Sequence, residues 1–129
     1  MTGILIDTYA WMEIFSGSPW GHRALASLEN YSPQAISVLT LYELQYRLGD
    51  LYGEEKTAAL LATITANAEV LPVDSRIAVA AGRIKAGQKR AGSGMGAVDC
   101  LILATARIHR LKILTGDRHF AGLEETIDV

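Results

Sequence analysis

The sequence ILIDT at residues 4–8 decides the fold of this 129-residue chain. Residues 4–6 form a continuous apolar run rich in β-branched side chains, which is typical of a strand buried on both faces of a parallel sheet. The run ends at Asp7, and residues 8–15 then follow a helical pattern. A short buried strand followed directly by a helix indicates a chain that alternates strands and helices.

The rest of the chain continues this alternation. Apolar runs and turn residues predict further strands at 35–38, 70–73, 113–114 and 126–129. Helical spacing predicts helices at 20–29, 40–51, 54–66, 74–91 and 97–111. Strands separated by helices require crossover connections, so we predict a three-layer α/β/α fold with a central, mainly parallel sheet.

The composition is that of an ordinary soluble globular chain, and we expect residues 1–129 to form a single domain. Hydrophobic residues make up 50% of the chain, charged residues make up 20%, and the formal net charge is −2. Apolar runs such as 77–81 are far shorter than the roughly 20 residues of a membrane helix. With no basic leader at the N-terminus, we expect a cytoplasmic protein without a membrane partner.

The charge is unevenly distributed along the chain. Residues 76–112 contain eight Lys and Arg residues and one acid, a local balance of +7, whereas the remainder carries −9. Such asymmetry points to a polyanionic partner such as a nucleic acid. Two solvated helix faces explain the same pattern, so charge alone leaves both interpretations open.

Four acids fall where the predicted fold gathers functional side chains. Ligands of open α/β sheets bind beyond the carboxyl ends of the strands. Asp7 closes the first strand and Asp117 follows the strand at 113–114, while Glu43 and Asp99 lie in the first turns of their helices. Four carboxylates at one sheet edge would repel unless protonated or bridged by cations, and oxygen-only ligands suit Mg²⁺ or Mn²⁺. Such a site can activate a water for attack on a phosphodiester.

Each acid also has a purely structural interpretation. Thr40 and Glu43 match the capping-box pattern, and Asp99 could complement the positive end of its helix. Asp7 and Asp117 could be ordinary loop acids at strand ends. Asp74 is excluded from the candidate set because a helix begins directly after it, which favours an N-cap role.

Zinc and cysteine chemistry are disfavoured by the same sequence. The single cysteine, Cys100, lies in an apolar run and is predicted to be a buried hydrophobic side chain. The three histidines, His22, His109 and His119, have no zinc-ligand spacing. His119, next to the fourth acid, is interpreted as a structural residue rather than a general acid.

Four segments resemble, in order and spacing, the PIN-domain ribonucleases, and more narrowly the VapC-type toxins of prokaryotic toxin–antitoxin pairs. These segments are ILIDT at 4–8, SVLTLYEL at 37–44, DCLILATA at 99–106 and LTGDRHF at 114–120. The resemblance implies that Asp7, Glu43, Asp99 and Asp117 are the catalytic, metal-binding carboxylates. It also implies supporting hydroxyl roles for Thr115 and, more weakly, Thr8.

The resemblance implies an activity and partners as well. The expected function is that of a Mg²⁺- or Mn²⁺-dependent endoribonuclease, a toxin that cleaves RNA with a metal-activated water. The expected partners are the RNA substrate, a small cognate antitoxin protein and a second copy of the chain in a homodimer. Residues 92–96 would form a loop near the substrate, and Arg118 or the bases at 83–90 would neutralise phosphate charge.

Three alternative functions remain open from the sequence. The first is a PIN-like RNA-processing nuclease without an antitoxin, and the second is a non-catalytic module that binds RNA or a protein. The third is phosphoryl transfer through a covalent Asp7. This third alternative is weak because position 9, where such an enzyme would carry a second acid, is Tyr9.

Overall fold

Strand β1 (Ile4–Ile6) lies at the centre of a parallel sheet in the computed structural model, which describes residues 1–128. The other strands are β2 (Gln34–Ser37), β3 (Glu69–Leu71), β4 (Lys112–Thr115) and β5 (Thr126–Asp128). Their order is β3-β2-β1-β4-β5, and every neighbouring pair is parallel. The predicted parallel sheet is confirmed, while Val129, the last residue of the predicted final strand, lies outside the described residues.

Six α-helices and one 3-10 helix connect these strands in the described part of the chain. The helices are α1 (Thr8–Ser16), α2 (Pro19–Leu28), α3 (Val38–Tyr52), α4 (Glu54–Asn67), α5 (Ser75–Arg90) and α6 (Ala97–His109). The 3-10 helix (Arg118–Phe120) follows β4 and was not predicted, because three residues are too few to show a period.

The core is divided between the two faces of the sheet. Leu5 packs in a cluster with side chains of α5 and α6, such as Ile77 and Leu103. Its neighbours Ile4 and Ile6 point to the opposite face, because side chains alternate along a strand, and pack with residues of α1 to α4. Helices therefore cover both faces, and the predicted three-layer architecture is confirmed.

Most predicted helix boundaries are off by one or two residues, and two of these differences have a clear local cause. Helix α3 begins at Val38, because the Ser37 hydroxyl accepts a hydrogen bond from the backbone N–H of Leu39 at 3.1 Å and caps the helix there. Thr40 is then inside the helix, so the capping-box interpretation of Glu43 is wrong. Helix α6 ends at His109, two residues early, because Arg110 adopts a left-handed backbone conformation with φ of 56°.

Two smaller predictions, on Asp74 and Cys100, are confirmed. Asp74 caps α5, since its carboxylate accepts a hydrogen bond from the backbone N–H of Ile77 at 2.9 Å. Cys100 is buried among the apolar side chains of α5 and α6. Within residues 1–128, no helix has both the length and the apolar character needed to cross a membrane.

Candidate functional site

The sheet order brings the carboxyl ends of three strands together. Strand β1 lies between β2 and β4, and the direction of strand addition reverses between β1 and β4. Such a reversal opens a crevice at the carboxyl edge of the sheet, where α/β proteins bind ligands. Asp7 follows β1 and Asp117 follows β4, so both acids lie at the two sides of this crevice.

A buried threonine joins these two acids. The Thr115 hydroxyl donates a hydrogen bond to Oδ2 of Asp7 at 3.0 Å and accepts one from the backbone N–H of Asp117, also at 3.0 Å. Thr115 is fully buried, which holds its side chain in one orientation. The hydroxyl therefore fixes both the Asp7 carboxylate and the turn that carries Asp117.

A second threonine joins the first helix to the third. The buried Thr8 hydroxyl donates to Oε1 of Glu43 at 3.3 Å, a contact between residues 35 positions apart. Glu43 is thereby directed toward the start of α1, where Asp7 precedes Thr8. The two threonines singled out in the sequence each orient one candidate carboxylate.

His119 also belongs to the cluster of acids, although the sequence favoured a structural role for this residue. Its Nδ1 lies 3.3 Å from Oδ2 of Asp99 and 3.2 Å from Oδ1 of Asp117. One ligand atom from each of these three residues lies within 4.8 Å of the other two. The 20-residue separation of Asp99 and His119 hides the contact in the sequence; the adjacent Asp117 was the only signal available.

Burial and mutual repulsion perturb the acids. Burial is the main reason that the pKa of Asp7 is raised to about 6, and the charges of Asp99 and Glu43 raise it further. The hydrogen bond from Thr115 acts in the opposite direction. Asp7 is only 6% exposed, so its ionised form needs a compensating charge that these neighbouring acids do not supply.

Glu43 and Asp99 show the same direction of change. The pKa of Glu43 is raised mainly by partial burial, with Asp99 and Asp117 contributing repulsion against the lowering effects of Thr8 and Arg47. The pKa of Asp99 is raised by burial and then by the charge of Asp117, while His119 lowers it. All four candidate carboxylates therefore interact electrostatically with at least one other member.

The donor atoms of this cluster fit a divalent cation. Carboxylate oxygens are the ligands that Mg²⁺ and Mn²⁺ prefer, and a bound cation relieves the repulsion that raises the pKa values of these acids. Thr115 and Thr8 hold the carboxylates of Asp7 and Glu43 from behind, as residues that orient metal ligands do. The sequence-predicted carboxylates thus lie close enough to repel one another, but among the described residues the ligand atoms spaced for a single ion are those of Asp99, Asp117 and His119.

A lysine of the segment 83–90, whose bases were expected to neutralise the phosphate charge of RNA, holds the loop before Asp99. Lys85 of α5 donates from Nζ to the backbone carbonyl of Met95 at 2.7 Å, and the Met95 side chain is 2% exposed. This contact anchors the segment that leads into α6. Lys85 is one of the bases at 83–90 that were expected to neutralise phosphate charge, and it also bonds within the protein; the contact of these bases with RNA stays a prediction.

Tyr9 packs tightly against the turn that carries Asp117. A Cβ atom added at Gly116 would lie 2.4 Å from Cε1 of the Tyr9 ring, so only glycine allows this approach. The Tyr9 side chain is 38% exposed, which leaves part of the ring at the surface beside the cluster.

The family model of the PIN domain matches residues 4–125. The chain belongs to the PIN domain family. The match includes all four candidate carboxylates, so the cluster of acids lies within the PIN domain. No curated protein matches this PIN domain in sequence.

Solved structures with the same fold come from toxin–antitoxin systems. A DNA-bound VapBC structure from Salmonella typhimurium has a TM-score of 0.81 and 26% identity, covering 99% of this PIN domain and 98% of that chain. A toxin–antitoxin complex from Klebsiella pneumoniae has a TM-score of 0.76 and 28% identity, covering 97% and 96%. A sarcin–ricin loop cleaving toxin of Mycobacterium tuberculosis shares the fold, with a TM-score of 0.73, 19% identity and coverage of 95% and 98%.

Proposed function

We propose that this PIN domain is a Mg²⁺- or Mn²⁺-dependent endoribonuclease and the toxin of a toxin–antitoxin pair. The observation that carries the proposal is the convergence of Asp7, Glu43, Asp99 and Asp117 at the crevice between β1 and β4. A non-catalytic module would have no need to maintain several raised carboxyl pKa values in one place, because burying such charges opposes folding. Perturbed acids in a cleft are typical of catalytic sites.

The chain's own residues prepare the site for an ion and a phosphodiester. A divalent cation held by the four carboxylates supplies Lewis acidity toward phosphate oxygens and a more acidic water. Thr115 donates to Oδ2 of Asp7 and so fixes the orientation of this carboxylate. Glu43 is partly exposed, and its raised pKa makes it a better proton acceptor than an ordinary carboxylate.

The experiment that tests the activity combines metal removal with conservative variants. The purified chain is incubated with mixed RNAs in Mg²⁺, Mn²⁺ or EDTA, beside Asp7→Asn and Asp99→Asn. We expect cleavage with either metal, none in EDTA, and a loss of at least about 100-fold in each variant. Asp74→Asn is the matched control, because asparagine still caps α5 and the residue lies outside the cluster.

Two results would contradict the proposed activity. Cleavage that persists in EDTA or in the Asp7→Asn variant would exclude metal-dependent catalysis by these acids. RNA binding without cleavage under every metal condition would favour the non-catalytic module instead.

The toxin assignment needs a separate experiment. Several of the fold relatives are toxin–antitoxin complexes, which supports an antitoxin partner here. Induced expression of the wild-type chain is expected to arrest growth, whereas Asp7→Asn is not. Co-expression of a small protein encoded directly upstream should restore growth. Arrest that no neighbouring gene relieves would favour an RNA-processing nuclease without an antitoxin.

The proposed homodimer draws support from exposed apolar side chains on α2 and α3. Trp20, Leu25, Tyr42, Tyr46 and Leu51 are each between 48% and 68% exposed. Exposed apolar side chains that adjoin, as the Tyr42 and Tyr46 rings do with centroids 5.6 Å apart, are typical of protein–protein interfaces. Light scattering on the isolated chain is expected to give twice the monomer mass of 13.9 kDa, and a monomer mass at high micromolar concentration would contradict the dimer.

A further inference from the structure

His119 contacts two acids that come from separate parts of the fold. Asp99 lies in the first turn of α6, whereas Asp117 and His119 belong to the turn after β4. The backbone N–H of His119 donates to Oδ1 of Asp117 at 2.9 Å, and this bond closes the turn. The bond therefore holds the Asp117 carboxylate against the backbone of His119 and places both side chains in one turn.

The spacing of the side-chain atoms is that of ligands on one ion. Adjacent ligands of an octahedral ion with bonds of about 2.1 Å lie about 3.0 Å apart. Nδ1 of His119 lies 3.3 Å from Oδ2 of Asp99 and 3.2 Å from Oδ1 of Asp117. Asp99, Asp117 and His119 would each offer one atom to a divalent cation placed between them, since the three ligand atoms lie within 4.8 Å of one another. The His119 side chain is 37% exposed, so the ion can reach the nitrogen from solvent.

We propose that His119 is a nitrogen ligand of the metal site, which gives the site a preference for Mn²⁺ and later transition ions over Mg²⁺. The inference rests on the metal site of the proposed function and adds a ligand to its carboxylates. Imidazole nitrogen binds transition ions more strongly than it binds Mg²⁺, which keeps to oxygen ligands. Asp99 and Asp117 supply the oxygens on either side of the nitrogen.

Metal binding itself supplies the test, with no need for cleavage. Calorimetric titration of the full chain with Mn²⁺ and with Mg²⁺ compares the wild type with His119→Ala. We expect Mn²⁺ affinity to fall at least about 10-fold in the variant, with Mg²⁺ affinity changed less than about 2-fold. His22→Ala is the matched control, since His22 is an exposed residue of α2, outside the cluster.

A spectroscopic measurement identifies the ligand directly. Pulsed electron paramagnetic resonance of the Mn²⁺-loaded chain is expected to show coupling to a nitrogen nucleus. The coupling should disappear in His119→Ala and persist in His22→Ala. Thermal unfolding of both variants confirms that the fold is kept, as expected for exposed side chains.

Two results would overturn the inference. Bound Mn²⁺ without nitrogen coupling would mean that His119 is only a counter-charge to the acids, leaving a carboxylate-only metal site and the proposed function intact. Equal losses of Mn²⁺ and Mg²⁺ affinity in His119→Ala would exclude the preference. If neither ion binds the wild type, this inference and the proposed metal dependence both fail.

Discussion

The burial of Asp7 lowers the stability of the fold to which this residue belongs. The unfolded chain ionises this carboxyl near its ordinary pKa of 3.8, whereas the folded chain holds the proton until about pH 6. Below pH 3.8 both states are protonated and folding carries no penalty. As the pH rises through 6 the folded state must bury the charge, at a cost of about 3 kcal/mol from this difference in pKa.

Asp7→Asn should therefore stabilise the metal-free protein at high pH. We expect its free energy of unfolding at pH 8 in EDTA to exceed that of the wild type by about 2 kcal/mol, and the two to converge near pH 4. Urea unfolding at both pH values measures the difference. Asp74→Asn, at an exposed cap, should show no such pH dependence; a less stable Asp7→Asn at pH 8 would contradict the interpretation.

Thr115 and Thr57 allow one substitution to be compared at two buried positions. Both side chains are fully buried, but Thr115 bonds to Asp7 and Asp117, whereas Thr57 Oγ1 has no hydrogen-bond partner among the described residues. Thr115→Val should lower metal affinity or cleavage about 10- to 100-fold, because it frees the carboxylate. Thr57→Val should leave cleavage unchanged and stabilise the protein by about 1 kcal/mol, since it removes an unpaired polar group.

Calorimetry, cleavage assays and urea unfolding provide these readouts. Equal effects of the two substitutions on metal affinity would show that the Thr115 hydroxyl has no special role in the site.

At the scale of elements, the contact between α1 and α2 depends on one glycine. A Cβ at Gly21 would lie 2.1 Å from the backbone oxygen of Glu13 and 2.9 Å from Cα of Ile14. Gly21→Ala should destabilise the protein by about 1–3 kcal/mol, because backbone atoms of α1 would have to move. Gly82→Ala on α5 should stabilise it by up to about 1 kcal/mol, since the space there is open. Urea unfolding distinguishes them, and similar values for the two would refute the close approach.

Contacts between elements also explain how much of the fold and of the candidate site could be predicted from the sequence. Elements with a clear period, and acids placed directly after strands, could be predicted because these signals are local. Ser37 caps α3 instead of Thr40, because the helix begins at Val38 and the first free backbone N–H groups therefore lie next to Ser37. Lys85 could not be assigned, since its contact with Met95 depends on how α5 packs against the start of α6. His119 was missed for the same reason.

At the scale of the whole molecule, the five bases of α5 lie along the full length of the helix. Arg76 and Arg83 line an open cavity of about 560 Å³ together with Ile108, near the end of α6. Lys85 instead contacts the loop before α6, and Lys89 and Arg90 follow it in the last turn of α5. Lys89 and Arg90 thus lie at the end of α5 that leads through residues 91–96 to α6, whose first turn carries Asp99.

The position of each base along α5 predicts which of them contact RNA. In an Asp7→Asn background, which prevents cleavage, Lys89→Gln with Arg90→Gln should reduce the salt dependence of single-stranded RNA binding by about 1.4 in the log–log slope. Arg76→Gln with Arg83→Gln removes the same charge from the same helix and should change the slope little. Fluorescence anisotropy over a NaCl series measures both. Equal reductions would place RNA along the whole of α5.

The burial of Asp7 also makes ion uptake a proton-releasing event. Near neutral pH a fraction of the Asp7 carboxyl groups still carries a proton, which must leave when a cation binds. Acidification should therefore release the cation from the metal site, as a chelator does, without removing any of the residues that bind it. The heat measured on metal binding should accordingly vary with the ionisation enthalpy of the buffer, and more strongly at pH 6 than at pH 8.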